Sequence, residues 1–222
     1  PSHPDLLDWL AVDFVEQNWS MKKLLKQIVL SSTYAQSPRI FPNNKAKDPE
    51  NQLMGRFPKL RLSAEAIRDN ALRIGGLLTP ALGGPPASPP QPDGIWWIRD
   101  DKSPKYVTST GEERYRRSLY TIWRRTYLHP TLANFDAPSR VTCSADRERT
   151  NTPLQALTLM NDPIFLEAGF GLARRMYDRS KSNSIKDAIR FGFCLSTTRN
   201  PDQTETDALI GLYEKSLRKF SK

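Results

Sequence analysis

RERTNTPLQALTLMND, residues 147–162, spells out the start of a helix. Thr152 has the side chain of an N-cap, a hydroxyl that accepts from a first-turn backbone N–H. Pro153 follows at the first helical position, where no donor is required. Gln155, three residues past the cap, can reach back to it and close a capping box. Leu154, Leu157, Leu159 and Met160 supply an apolar surface. Asp162 and Pro163 repeat the cap-then-proline signal at once, so the stretch predicts two consecutive helices or one kinked helix. Arg147 and Arg149 stand just ahead of the first cap. A helix N-terminus and guanidinium forks both favour anions, which allows an anion or carboxylate pocket. Pairing of these arginines with Asp136, Asp146 or Asp162 inside the protein is the commoner use of such residues and is the expectation here.

Outward from this stretch the chain reads as mainly α. Near the N-terminus, Ser2 to Asp5 has capping-box spacing. Leu6, Leu7, Leu10, Phe14 and Val15 then follow at helical intervals, with Trp9 beside them. Ser20 caps a second run carrying Met21, Leu24, Leu25, Ile28 and Val29, with Lys22, Lys23 and Lys26 on its polar side. The short link between them predicts an antiparallel helical hairpin with Trp9 and Trp19 packed in its core. Residues 37–58 read as loop. Ser63 caps a helix that ends at Gly75 and Gly76, and its Glu65, Arg68 and Asp69 read as a solvated or internally paired face. Six prolines (80, 85, 86, 89, 90 and 92) crowd residues 79–94, a density that no regular element survives. Ile95 to Ile98 and Tyr106 to Thr108 read as a β-hairpin, with one of Trp96 and Trp97 free to stack on a sugar or partner. Residues 118–125 read as a strand pairing with it. Helices are expected near 163–177, 185–195 and 205–220, the last capped by Thr204 with Asp207. Their buried faces would come from Ile185 with Ile189, and from Leu209 with Leu212, Tyr213 and Leu217. The expected fold is a mainly α domain with a small antiparallel β-sheet and a long Pro-rich irregular segment. Its parts are 1–78, 79–110 and 111–222.

Several of these motifs together are similar to one family. RRSLYTIWRRT, HPTLANFDAPSR and RTNTPLQALTLMNDPIF resemble the planctomycete-type family known as domain of unknown function 1553, as do the opening PSHPDLLDWLAVDFVEQNWS and the helix LSAEAIRDNAL. The resemblance implies the C-terminal domain of a large extracytoplasmic or cell-surface protein that often carries a cytochrome c-type domain near its N-terminus. Pro1 falls inside a family motif, so a fragment of a longer protein is expected. Haem would belong to the N-terminal part of that parent, and this chain is expected to hold no cofactor. The family brings no established reaction.

Composition narrows the partners. The 222 residues include 26% charged and 38% hydrophobic ones, as in a soluble globular protein, and no apolar run reaches the length of a membrane span. The net charge of +9, from 33 Lys and Arg against 24 Asp and Glu, is spread along the chain. Without a compact basic run or a nucleic-acid motif, an acidic polysaccharide or anionic surface is the better match than nucleic acid. Cys143 and Cys194 form no CxxC, and with His3 and His129 the only histidines a four-ligand zinc site is not expected. His129 has no nucleophile at a known spacing and reads as structural. Cys143 is either a thiol activated by nearby arginines or a structural residue, buried or bonded to Cys194. The lack of a histidine base favours the structural role.

Two functions remain. The first is a binding or scaffolding module that works with other domains of its parent. The alternative is a catalytic or redox-coupled domain in polysaccharide or sugar processing. Its residues would be Asp136, Arg140, Cys143, Arg147, Arg149, Asn151, Gln155 and Asp162.

Overall fold

The computed structural model describes residues 2–95, 105–124, 127–143, 146–180 and 184–220. Its helices are α1 (Pro4–Glu16), α2 (Met21–Val29), α3 (Pro42–Lys47), α4 (Ala64–Gly75), α5 (Pro130–Asn134), α6 (Pro153–Asn161), α7 (Pro163–Ser180), α8 (Ile185–Thr197) and α9 (Gln203–Phe220). The chain divides into two compact units, Pro1–Arg61 and Leu62–Lys222. Mainly helical is therefore the correct class. The sheet is not observed: pairing among the described residues amounts to isolated bridges, Thr79 with Arg116, Ala87 with Thr121 and Arg124 with Tyr127. Residues 118–120 coil into a 3-10 turn, and Thr121 then pairs with the Pro-rich arm. The prolines of that arm cannot donate to a ladder, which limits pairing to single bridges. The expected strand around Trp96 and Trp97 lies outside the described residues.

In the first unit, Ser20 caps α2 as expected, accepting from Lys23 N at 3.5 Å. His3, not Ser2, holds the cap position of α1 and makes no capping bond, so Pro4 alone marks that start. The turn between α1 and α2 puts Asn18 and Trp19 in the left-handed region, at φ 55° and 56°. The tryptophans depart from expectation: Trp9 is 54% and Trp19 67% exposed, and neither α1 nor α2 buries a residue. Phe14 meets the Trp19 ring edge-on at 5.3 Å. Residues 37–58 contain the short α3 and a turn in which Asp48 accepts from the backbone of Gln52 and Leu53.

The second unit has a core built from Ala64 and Leu72 of α4, Leu132 of α5, Phe135, and Ile164 and Phe165 of α7. The Phe135 and Phe165 rings meet edge-on at 6.1 Å. Ser63 caps α4 and Gly76 closes it at φ 74°, as the sequence indicates. The α6 start has both capping-box bonds, Thr152 Oγ1 accepting from Gln155 N and Gln155 Oε1 from Thr152 N. Thr152→Ala should therefore lower stability by about 1 kcal/mol, read as a shift in the denaturation midpoint. An unshifted midpoint would mean that the first turn of α6 finds its acceptors elsewhere.

Two further differences concern caps and faces. Asp202 and Glu205, rather than Thr204 and Asp207, exchange the bonds that open α9. Ile189 is buried as expected, whereas Ile185, Leu212, Tyr213 and Leu217 are exposed.

Candidate functional site

α6 presents the reverse of its amphipathic reading. Leu154 and Leu157 are each 55% exposed and Met160 69%, while Gln155 is buried at 1%. The reason lies in what Gln155 can bond. Its Nε2 donates to Asp136 Oδ2 at 3.3 Å and to Thr150 Oγ1 at 3.1 Å, and its Oε1 serves the Thr152 cap. Asp136, at φ 63°, also accepts from the Thr150 backbone at 2.7 Å and from its hydroxyl at 2.8 Å. A buried amide with its donors and acceptor matched outweighs the exposure of leucines that have no apolar neighbour to meet.

Asp162 has the expected place between α6 and α7. Its Oδ1 accepts from Ile164 N at 2.9 Å, capping α7, and its Oδ2 accepts from the Thr131 hydroxyl of α5. Asn134 of α5 donates to Thr158 Oγ1 of α6 at 3.1 Å. Asp136 with Gln155 thus ties the connecting loop to α6, and Asp162 ties α5 to α7; these bonds make up a polar seam around the three helices.

The remaining candidates lie along that loop. Arg147 is paired inside the protein as expected, but with a glutamate: it binds both carboxylate oxygens of Glu65, at 3.1 and 3.0 Å, and only its backbone N–H meets an anticipated aspartate, Asp146. Arg140 stacks over the Trp123 ring at 3.9 Å. Arg149 and Asn151 are exposed. Cys143 is an exposed free thiol, which removes the buried role expected for it, and Cys194 is free and half-buried. A cleft of about 380 Å³ opens among Asp136, Ser139, Thr142, Asp146, Arg147 and Glu148. Its three carboxylates against one already paired guanidinium make it unsuited to an anion. Among the described residues, no three His, Cys, Asp or Glu side chains are grouped to hold a metal ion. Because the Arg147 and Glu65 side chains remain 41% and 20% exposed, Arg147→Ala should cost less than about 1 kcal/mol. A loss several times larger in urea denaturation would show that the pair is far better shielded than its exposure indicates.

A second polar system sits beneath the Pro-rich arm; of the two readings the sequence allows for Arg68, solvated or internally paired, the second holds. Prolines offer carbonyls without N–H groups, so the arm has surplus acceptors that need donors from elsewhere. Arg116 donates to the carbonyls of Gly83 and Pro85, Tyr106 to Pro89, and His129 Nε2 to Pro90 at 3.1 Å. Beside them Arg68, 2% exposed, donates to the carbonyls of Arg116 and Arg114 at 2.8 and 3.0 Å and to Ser118 Oγ at 3.3 Å. Burial raises the Tyr106 and Tyr127 pKa values, keeping both phenols protonated as donors. The signal available in the sequence was the density of acceptors beside a run of arginines and tyrosines.

Burial also lowers the His129 pKa below its usual 6.5, against the pull of the Pro90 carbonyl, with the nearby Arg68 charge lowering it further. The sign follows. The unfolded chain takes up the proton first as pH falls below about 6.5, so stability present above that pH is lost toward the lower folded value. Wild type should lose more stability than His129→Gln between about pH 7.5 and 5. Parallel pH profiles of the two denaturation midpoints would refute this.

Compared with known sequences, residues 1–213 match the model of the family PSD1, described as a protein of unknown function (DUF1553). No curated protein and no solved structure matches the chain.

Proposed function

Since the chain belongs to the DUF1553 family, whose members share sequence without a known reaction, we propose that it is a binding or scaffolding module of a larger cell-surface protein. The observation that carries this reading is the internal use of the polar seam. Gln155 is 1% exposed and bonded to Asp136 and Thr150, and both Asp162 carboxylate oxygens hold helices together. Groups committed in this way support a shape; a reaction needs at least one of them free to meet substrate. The catalytic alternative in sugar processing has no such free group among Asp136, Gln155 and Asp162. The net charge of +9 favours acidic partners, and an acidic polysaccharide at the cell surface has matching chemistry. Other domains of the parent, including a haem-bearing one, are the remaining partners in this reading.

The test is electrophoresis of the full chain through a gel containing polygalacturonate, with the length of the polymer followed in parallel. Salt-sensitive retardation with unchanged polymer length is the expected result. Shortening of the polymer that Asp162→Asn abolishes would overturn the module reading in favour of the enzyme.

A further inference from the structure

The first unit holds helices several of whose apolar side chains stand exposed. On α2, Met21, Leu25 and Val29 stand at i, i+4 and i+8 and form one exposed ridge, with Lys22 and Lys26 alongside. On α1, Val12 and Val15 are exposed beside Asp5, Asp8 and Glu16. Neither helix buries any residue. α2 is apolar along this ridge and again at Ile28, with its lysines on the remaining side. Leu6 and Leu10 likewise form a second side of α1, and together with Ile28 and Phe57 they line in part a groove of about 590 Å³. A helix that is apolar on more than one side calls for more than one neighbour.

The charges say which neighbour fits. α1 carries Asp5, Asp8, Asp13 and Glu16 and no Lys or Arg, whereas α2 carries Lys22, Lys23 and Lys26 and no Asp or Glu. The cover for the Val12 and Val15 face must be apolar with basic flanks, and the cover for the Met21, Leu25 and Val29 ridge must be apolar with acidic flanks. Each helix of this unit has the composition that the other requires. The geometry points to a second copy of this chain as the partner, with α1 of each copy lying against α2 of the other across a two-fold axis. Such an interface is self-complementary and closes at two copies, because both halves of the contact are used at once. Opposite charge along both rims sets the register and excludes α1 against α1, where carboxylates would face one another. The inference stands apart from the module reading, since an enzyme or a scaffold can equally be a dimer.

Sedimentation equilibrium of the full chain over about two decades of concentration, at low and at high salt, tests it. A monomer–dimer equilibrium is expected, weakened by salt because the flanking charges are exposed. Leu25→Asp and, separately, Val12→Lys should each weaken it at least tenfold with the circular dichroism spectrum unchanged. Both substituted positions are exposed in the single chain, so folding should survive. In a second arm, Lys22→Glu/Lys26→Glu and Asp5→Lys/Asp8→Lys proteins should each lose self-association and recover dimer when mixed. A chain that stays monomeric throughout, a dimer indifferent to Leu25→Asp and Val12→Lys, or growth beyond two copies would each overturn the proposal.

Discussion

Replacing Arg68 by alanine should destabilise the 62–222 unit by roughly 3 kcal/mol, which for a unit of this size corresponds to a fall in melting temperature on the order of 10 °C. Arg68 lies inside, next to the core residues Ala64 and Leu72. Its guanidinium fixes the Arg114 and Arg116 carbonyls and the Ser118 hydroxyl, all 46 or more residues away in the chain. Two effects compete. A buried cation carries a desolvation cost, and its removal relieves that cost. Against this, Asp69 and Asp162 attract the charge, and truncation leaves three acceptors without a donor in a place closed to water. Hydrogen bonds to a charged group contribute about 1.5–3 kcal/mol each, so losing three outweighs the relief. Arg68→Lys separates the effects. An ammonium keeps the charge but cannot span the same acceptors with a planar fork, and it should recover only part of the loss. A denaturation midpoint for Arg68→Ala within error of wild type would mean that water reaches these carbonyls freely.

The same residue shows where sequence reading stopped. Arg68 sits on a helix whose start at Ser63 and end at Gly76 were both legible, because caps are local chemistry. The face it occupies was not legible, because its partners arrive from another part of the chain. α6 repeats the lesson. Thr152, Pro153 and Gln155 announced its first turn, and Asp162 with Pro163 announced α7, from neighbours within a few positions. That Gln155 would point inward while Leu154 and Leu157 point outward depended on Asp136, 19 residues away. Apolar periodicity predicts which side of a helix avoids water only where apolar neighbours are there to meet it. Trp9 and Trp19 stay exposed for the same reason: no described apolar residue of the first unit is buried to meet them. Of the candidate site residues, Asp136 and Gln155 do meet in one hydrogen-bonded cluster, while Asp162 bonds to Thr131 and Ile164. Arg140 stacks on Trp123 and Arg147 pairs with Glu65, partners that no spacing rule could reveal.

Glycines on α7 provide the second large effect, and here neighbouring positions should respond with opposite signs. Gly169 and Gly171 lie two residues apart in the same helix. A Cβ built on Gly169 meets nothing within 4 Å. Alanine there removes backbone freedom from the unfolded chain at no steric cost, so Gly169→Ala should stabilise by about 0.5–1 kcal/mol. A Cβ built on Gly171 runs into the Gly75 carbonyl oxygen at the end of α4, and one built on Gly75 would lie 2.6 Å from the Ala168 carbonyl oxygen. These obstacles are backbone atoms, which no rotamer change can move. α4 and α7 supply much of the core, Ala64 and Leu72 from one and Ile164 and Phe165 from the other, so parting them loosens apolar contacts along the whole crossing. Overpacking of this kind costs about 1–3 kcal/mol, and a rigid backbone clash belongs at the upper end. The propensity gain of about 1 kcal/mol offsets a part, which leaves Gly171→Ala destabilised by roughly 2 kcal/mol. Urea denaturation of the two variants beside wild type should therefore move the midpoint in opposite directions. A shift of the same sign in both would mean that α4 and α7 separate at little cost and that their close approach is incidental to stability.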